Sequence, residues 1–154
     1  MKTMLLSFKS DVYKRVLSGE KIYEHRSVFP NELVEAYLYV SSPIKSIVGI
    51  MHLDNKIYIE TWKEKYSYDL QAVKRIDEYL KHHKVAMEII DFQNTNMISL
   101  EQLRKDVPGF VVPQMYYFID GSPLHEYLKK NLVPEGKLIQ HDFIDIPSNL
   151  ICTH

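Results

Sequence analysis

Gly19-Glu20-Lys21-Ile22-Tyr23-Glu24-His25-Arg26 is the stretch on which the reading of this 154-residue chain turns. A helix stop is followed at once by a strand carrying both signs of charge. Upstream, Ser10 offers an N-cap and Val12, Tyr13, Val16 and Leu17 repeat on one helical face, so Gly19 supplies the C-terminal stop. Downstream, Lys21 to Ser27 reads as a strand. Glu24 and Arg26 are two apart and share a strand face, which lets them pair or line a cleft together. Lys21 falls on the opposite face of a regular strand, and joins them only from the turn after Gly19 or through a bulge. A Lys, a Glu and an Arg converging in a partly closed cleft can contact a phosphate, accept from a base amino group and stack on a base plane. The plainer role of the same side chains is a salt bridge pinning the strand.

Working outward, Thr3 to Phe8 reads as a strand before the first helix, and Leu33 to Val40 and Ser46 to Leu53 as two more, joined by a turn at Ser41-Ser42-Pro43. From Asp69, the positions Leu70, Val73, Ile76, Tyr79 and Leu80 predict an amphipathic helix. Ala86 to Phe92 is strand-like, and Ser99 with Gln102 is a capping-box signature. Met115 to Ile119 reads as a strand, Ser122-Pro123 opens a helix running to about Lys130, and Leu138 to Ile146 is a candidate last strand. Six or seven strands interrupted irregularly by helices predict an α+β domain with a mixed sheet or small barrel.

Nineteen Lys and Arg against twenty Asp and Glu leave a net charge of -1, too balanced for gripping long duplexes by phosphate neutralisation alone. A nucleic-acid role therefore needs a local patch or pocket. A single cysteine, Cys152, excludes an internal disulfide and a Cys-rich zinc site and suits a reducing compartment. The apolar run Met4 to Leu6 is too short for an export signal, and no stretch has the ~20 apolar residues of a membrane helix. The expectation is a cytoplasmic protein without a membrane partner, metal or organic cofactor.

The stretch from Gly19 to Arg26 resembles the signature G-x-K-x-x-E-x-R of the ASCH family, a branch of the PUA-like RNA-binding folds, with Gly19, Lys21, Glu24 and Arg26 at its four positions. The resemblance continues through Tyr39-Val40-Ser41-Ser42-Pro43, Ile47-Val48-Gly49, Trp62, Ala86 to Ile89, Ile98 to Leu103 and Val112-Pro113-Gln114. It implies a PUA-like β-barrel, a mixed sheet of about six strands with helices closing its ends, over residues 1-121. Residues 122-154 would be a C-terminal helix and tail packed on the same domain. The implied function is recognition of RNA or a nucleotide-like small molecule, single-stranded or splayed out, in a cleft around Gly19, Lys21, Glu24 and Arg26. Ser41 and Ser42 would add turn hydroxyls, and Gln114, held by the preceding proline, an amide able to read a base edge.

Two other functions follow from the same resemblance. One relative is an amidohydrolase that deacylates N4-acetylcytidine with a Lys, a Thr and a Glu, and ribonuclease activity is attributed to other members. Here the Thr position is Glu24, so the candidate catalytic residues are Lys21, steadying an oxyanion, and Glu24, acting as a general base on water. The family's coactivator members suggest instead a transcription-regulating interaction module, whose sign would be an exposed apolar patch on the tail helix. Of the remaining candidates, His82-His83 reads as a solvated helix end, and His52 as a strand imidazole either satisfied by a neighbour or reaching the cleft. Tyr37 and Tyr39 read as core or rim packing, and His141-Asp142 and Cys152 as incidental.

Overall fold

The run Met4-Leu5-Leu6 is apolar without alternation because its strand is covered on both faces. A computed structural model describes residues 1–154, and in it β1 (Lys2–Phe8) lies between β3 (Val34–Val40), to which it is parallel, and β6 (Tyr116–Phe118), to which it is antiparallel. Every other pairing is antiparallel, including that of the long hairpin β4 (Ser46–Tyr58) and β5 (Val85–Ser99). The sheet order is β2-β5-β4-β3-β1-β6, with β2 spanning Tyr23–Arg26. The outer edge of β5 is shared: Val85 to Glu88 pair with β2, and Asp91 to Thr95 with β7 (Pro134–Gln140). Register shifts after Ile47, His52 and Asp54 bend the β4–β5 pair, and the mixed sheet curls into a half-barrel. This is the expected α+β architecture of a curled mixed sheet with helices, with seven strands where about six are expected.

Alternation along the strands separates two cores. On one face Met4, Leu6, Val34, Leu38, Met51 and Phe92 close beneath Tyr13 and Val16 of α1 (Ser10–Ser18). On the other, Leu5, Tyr37, Tyr39 and Ile47 pack against Leu103 of α4 (Leu100–Asp106) and Leu124 and Leu128 of α5 (Pro123–Asn131). A third cluster joins Tyr23 of β2, Trp62 of α2 (Thr61–Lys65), Ile76 of α3 (Leu70–Leu80) and, from the tail, Ile151 and Cys152.

The expected caps form at Ser99, which accepts from the Gln102 amide, and at Ser122, which accepts from the His125 amide and is followed by proline. Three expectations shift. Lys9 rather than Ser10 takes the N-cap position of α1, without a side-chain bond. The last strand begins at Pro134, because Leu138 and Ile139 face Gln93 and Phe92 across the ladder whereas Phe143 and Ile146 pack on the third cluster. Strands β4 and β5 run on through Asp54-Asn55-Lys56 and Gln93-Asn94-Thr95, polar stretches in which Asp54, Gln93 and Asn94 pair across the ladder while Asn55, at φ 54, sits in the register shift between Asp54 and Ile57.

The tail is fastened by side chains from α3 and its flanks. Arg75 Nε donates to the Ile151 carbonyl at 3.0 Å and Nη2 to that of Ser148 at 2.8 Å. The Ser148 hydroxyl donates to Asp69 at 2.6 Å, and Tyr66 donates to the Ile146 carbonyl at 2.9 Å.

Candidate functional site

Gly19 ends α1 at φ 82, a left-handed turn that a side chain disfavours, and the chain folds back so that the Lys21 amide bonds the Arg15 carbonyl at 3.1 Å. Lys21 therefore stands in the turn before β2, not on the strand, and its side chain returns to the face of Glu24 and Arg26. The three residues meet as a buried chain of charge. Lys21 Nζ lies 3.2 Å from Glu24 Oε1, while Arg26 reaches Glu24 Oε2 through Nη2 at 2.8 Å and Nε at 3.2 Å. Exposures of 4% for Lys21 and 8% for Glu24 mean that neither side chain is solvated by bulk water. Burial pushes the Glu24 carboxyl upward, but the charges of Lys21 and Arg26 and the Arg26 hydrogen bond outweigh it and hold the group below its ordinary value.

This network forms one wall of a cleft of about 520 Å³ between the start of α1, β2 and the end of α3. Phe8, Arg15, Tyr79, His83 and Met115 complete much of the lining. Lys9 and Arg15, both exposed at the rim, make no ion pair. The Lys21 ammonium also donates to the Tyr23 carbonyl at 2.7 Å and to the main-chain oxygen of His154 at 3.0 Å.

Two cleft residues escape a reading by motif. His25, inside the signature, is buried edge-on against Tyr79 with ring centroids 4.8 Å apart. Burial and the Lys21 charge push its imidazole down to about 3, and its Nε2 has no hydrogen-bond partner. His83 lines the cleft and is held below the ordinary histidine value, chiefly by burial. The solvated helix end thus describes His82, which is exposed, and not His83. The available signal was spacing: His83 follows Tyr79 by four residues and shares its face.

The remaining expected site residues are not brought into this cleft. Ser41 ties back to the Phe8 carbonyl through its amide at 3.0 Å, Ser42 is exposed in the turn, and Gln114 is exposed next to Met115. Gly19 acts through the backbone and lies outside the lining. His52 is satisfied by neighbours, with Nδ1 2.7 Å from Asp91 and Nε2 3.4 Å from Glu35, residues directly beside it on β5 and β3. Tyr37 and Tyr39 are core residues. Cys152 is buried, which pushes its thiol up to about 12, the reverse of an activated nucleophile.

The fold is similar to that of ASCH from Zymomonas mobilis, whose crystal structure superimposes with a TM-score of 0.65 at 21% sequence identity, covering 86% of this chain and 96% of that one. A serine-to-alanine variant of that protein gives 0.64 at 20% identity over 86% and 97% of the two chains, and a tyrosine-to-phenylalanine variant 0.64 at 19% over 86% and 100%. No family model matches the sequence, and no curated protein matches it. The likeness establishes an ASCH-like fold.

Proposed function

We propose, taking the ASCH-like fold as the starting point, that this chain binds RNA or a nucleotide-like small molecule in the cleft beside Lys21, Glu24 and Arg26. The charge of the cleft carries the reading. Lys9, Arg15, Lys21 and Arg26 stand against Glu24 alone, while His25 and His83 are held toward their neutral forms. In a chain whose net charge is -1, this concentrates attraction for an anion at one concave site. Its volume suits a single nucleotide rather than a duplex. Arg15 and Lys9, free of partners, take phosphates. A strand leaving past Met115 meets the Gln114 amide, and one leaving past Phe8 meets Ser41 and Ser42.

Binding is favoured over hydrolysis by the state of Glu24. It is ionised, so it has no proton to donate as an acid, and both of its oxygens are occupied by cations, which weakens it as a base. No cofactor enters this reading, and the buried Cys152 thiol suits a reducing cytoplasm.

Fluorescence anisotropy with a labelled single-stranded oligoribonucleotide tests the proposal. Replacing Lys9 and Arg15 together by Ser should weaken binding about tenfold and reduce the salt slope by about 1 to 2, without touching the buried network. Unchanged affinity in the folded variant would refute the assignment. Incubation with N4-acetylcytidine should release no cytidine; turnover that is lost on Glu24→Ala would overturn the choice of binding over catalysis.

A further inference from the structure

At Met115 the lining of the cleft passes directly into β6, the strand that ends the sheet. Leu6 lies opposite Tyr116 and Met4 opposite Phe118, so alternation puts Phe8 of the cleft, Tyr116, Phe118 and Lys2 on one sheet face in that order. The rings form a row. Tyr116 stands edge-on between Phe29 at 5.4 Å and Phe118 at 5.8 Å, and the Lys2 ammonium rests 5.5 Å from the centre of the Phe118 ring. Tyr116 is fixed, since it packs on the first core and turns its hydroxyl to the Val28 carbonyl at 3.5 Å. Its neighbours lie open. Phe118 is 49% exposed and belongs to none of the three cores, and Met115 is 55% exposed. Lys2 makes no ion pair, while Asp120, the acidic residue that follows β6, is turned back to accept from the Thr3 amide.

We infer that a single strand of RNA leaving the cleft past Met115 continues along β6, stacking its next base on Phe118 and giving a phosphate to Lys2. The inference rests on the cleft holding the first nucleotide, and it adds the length and direction of the bound strand. From Met115 to Phe118 the backbone advances roughly 10 Å, room for one or two nucleotides beyond the first. A half-exposed ring continuous with a cationic cleft suits a base, because every base has a face to stack whatever the sequence. The cation over the ring suits a phosphate. The flexible stem of Lys2 lets its ammonium leave the ring for an oxyanion as the base arrives. The same edge suits a peptide poorly, since β6 is three residues long and offers an added strand few ladder bonds.

The test titrates the full chain with adenosine 5′-monophosphate and with single-stranded oligoadenylates of two to five nucleotides. Affinity should rise about tenfold from the mononucleotide to the trinucleotide and level off beyond it. Phe118→Ser, checked by thermal unfolding, should remove that gain, so that the trinucleotide binds no better than the mononucleotide, and Lys2→Ser should reduce the trinucleotide's salt slope by about 1. Phe118→Trp keeps a stacking ring and reports on it directly. The single native tryptophan, Trp62, is buried, so the trinucleotide should quench the new indole and the mononucleotide should not. If the mononucleotide binds but neither length nor Phe118→Ser changes affinity, the cleft stands and the inference is overturned. If no probe binds, both readings fall. If Phe118→Ser converts a self-associating parent to a monomer with its RNA affinity intact, the row of rings is a contact between copies and the inference is again overturned. Should Phe118→Ser fail to fold, quenching of Phe118→Trp decides: an indole untouched by every oligoadenylate that binds refutes the path along β6.

Discussion

His25 shows what a single residue contributes to the cleft and to stability at once. Its folded value, about 3, lies below the ordinary 6.5, so the unfolded chain takes up a proton that the folded chain refuses. The penalty is absent above pH 6.5 and grows as pH falls toward 3, at up to about 1.4 kcal/mol per pH unit. His25→Phe keeps the aromatic packing on Tyr79 and removes the titration. Chemical denaturation of the variant should therefore show a flatter stability profile between those limits than the parent, and identical slopes would refute the assignment. Glu24 acts at lower pH. Its depressed value gives stability that is present above 4.5 and lost as pH falls through the folded value, so acid loosens the Lys21–Glu24–Arg26 chain only after His25 has begun to weigh against folding.

At the scale of elements, Gly49 fixes how closely β4 and β5 approach where the ladder slips. A Cβ there would stand 2.6 Å from Phe92 Cζ and closer still to the Gln93 carbonyl oxygen, so the strand backbone itself would have to move. Gly49→Ala should cost about 2 kcal/mol or more, read as a lowered urea midpoint; a neutral result would mean that the pair separates easily. Elements governed by local chemistry were legible from the residues alone. Ser99 and Ser122 announce helix starts because their hydroxyls satisfy amides three positions on, and Glu24 and Arg26 share a face because strand periodicity demands it. What escaped depends on distant partners. Asp54-Asn55-Lys56 in β4 and Gln93-Asn94-Thr95 in β5 are residues that no propensity marks as strand, and each stretch runs beside the apolar half of the other strand, Asp54 opposite Glu88 and Gln93 and Asn94 opposite Ile50 and Gly49. Lys21 faces away only on a regular strand, and which of the alternatives holds, the turn after Gly19 or a bulge, is decided by the fold-back in which its amide bonds the Arg15 carbonyl.

Over the whole molecule, the tail works as a brace between α3 and the cleft. Arg75 satisfies two main-chain oxygens of this segment with one guanidinium, and losing it strands both. Arg75→Ala should cost about 2 kcal/mol, a fall in Tm of roughly 4–8 °C for a domain of this size, with faster amide exchange confined first to residues 146–154. An unchanged melting temperature would show that Ile151 and Cys152 hold the tail by apolar packing alone.

The place of β1 between β3 and β6 has a consequence for the chain as it is made. Thr3 donates its amide to Asp120, 117 residues away, and Leu5 lies opposite Tyr117 in the ladder. On a ribosome adding about 5–20 residues per second, β1 waits roughly 5–20 s for that neighbour with one backbone edge unpaired. The apolar run Met4-Leu5-Leu6 is meanwhile short of the α5 side chains that cover its outer face. During that interval the nascent chain presents a sticky strand edge, the kind of segment that holding chaperones bind and that pairs wrongly between crowded copies.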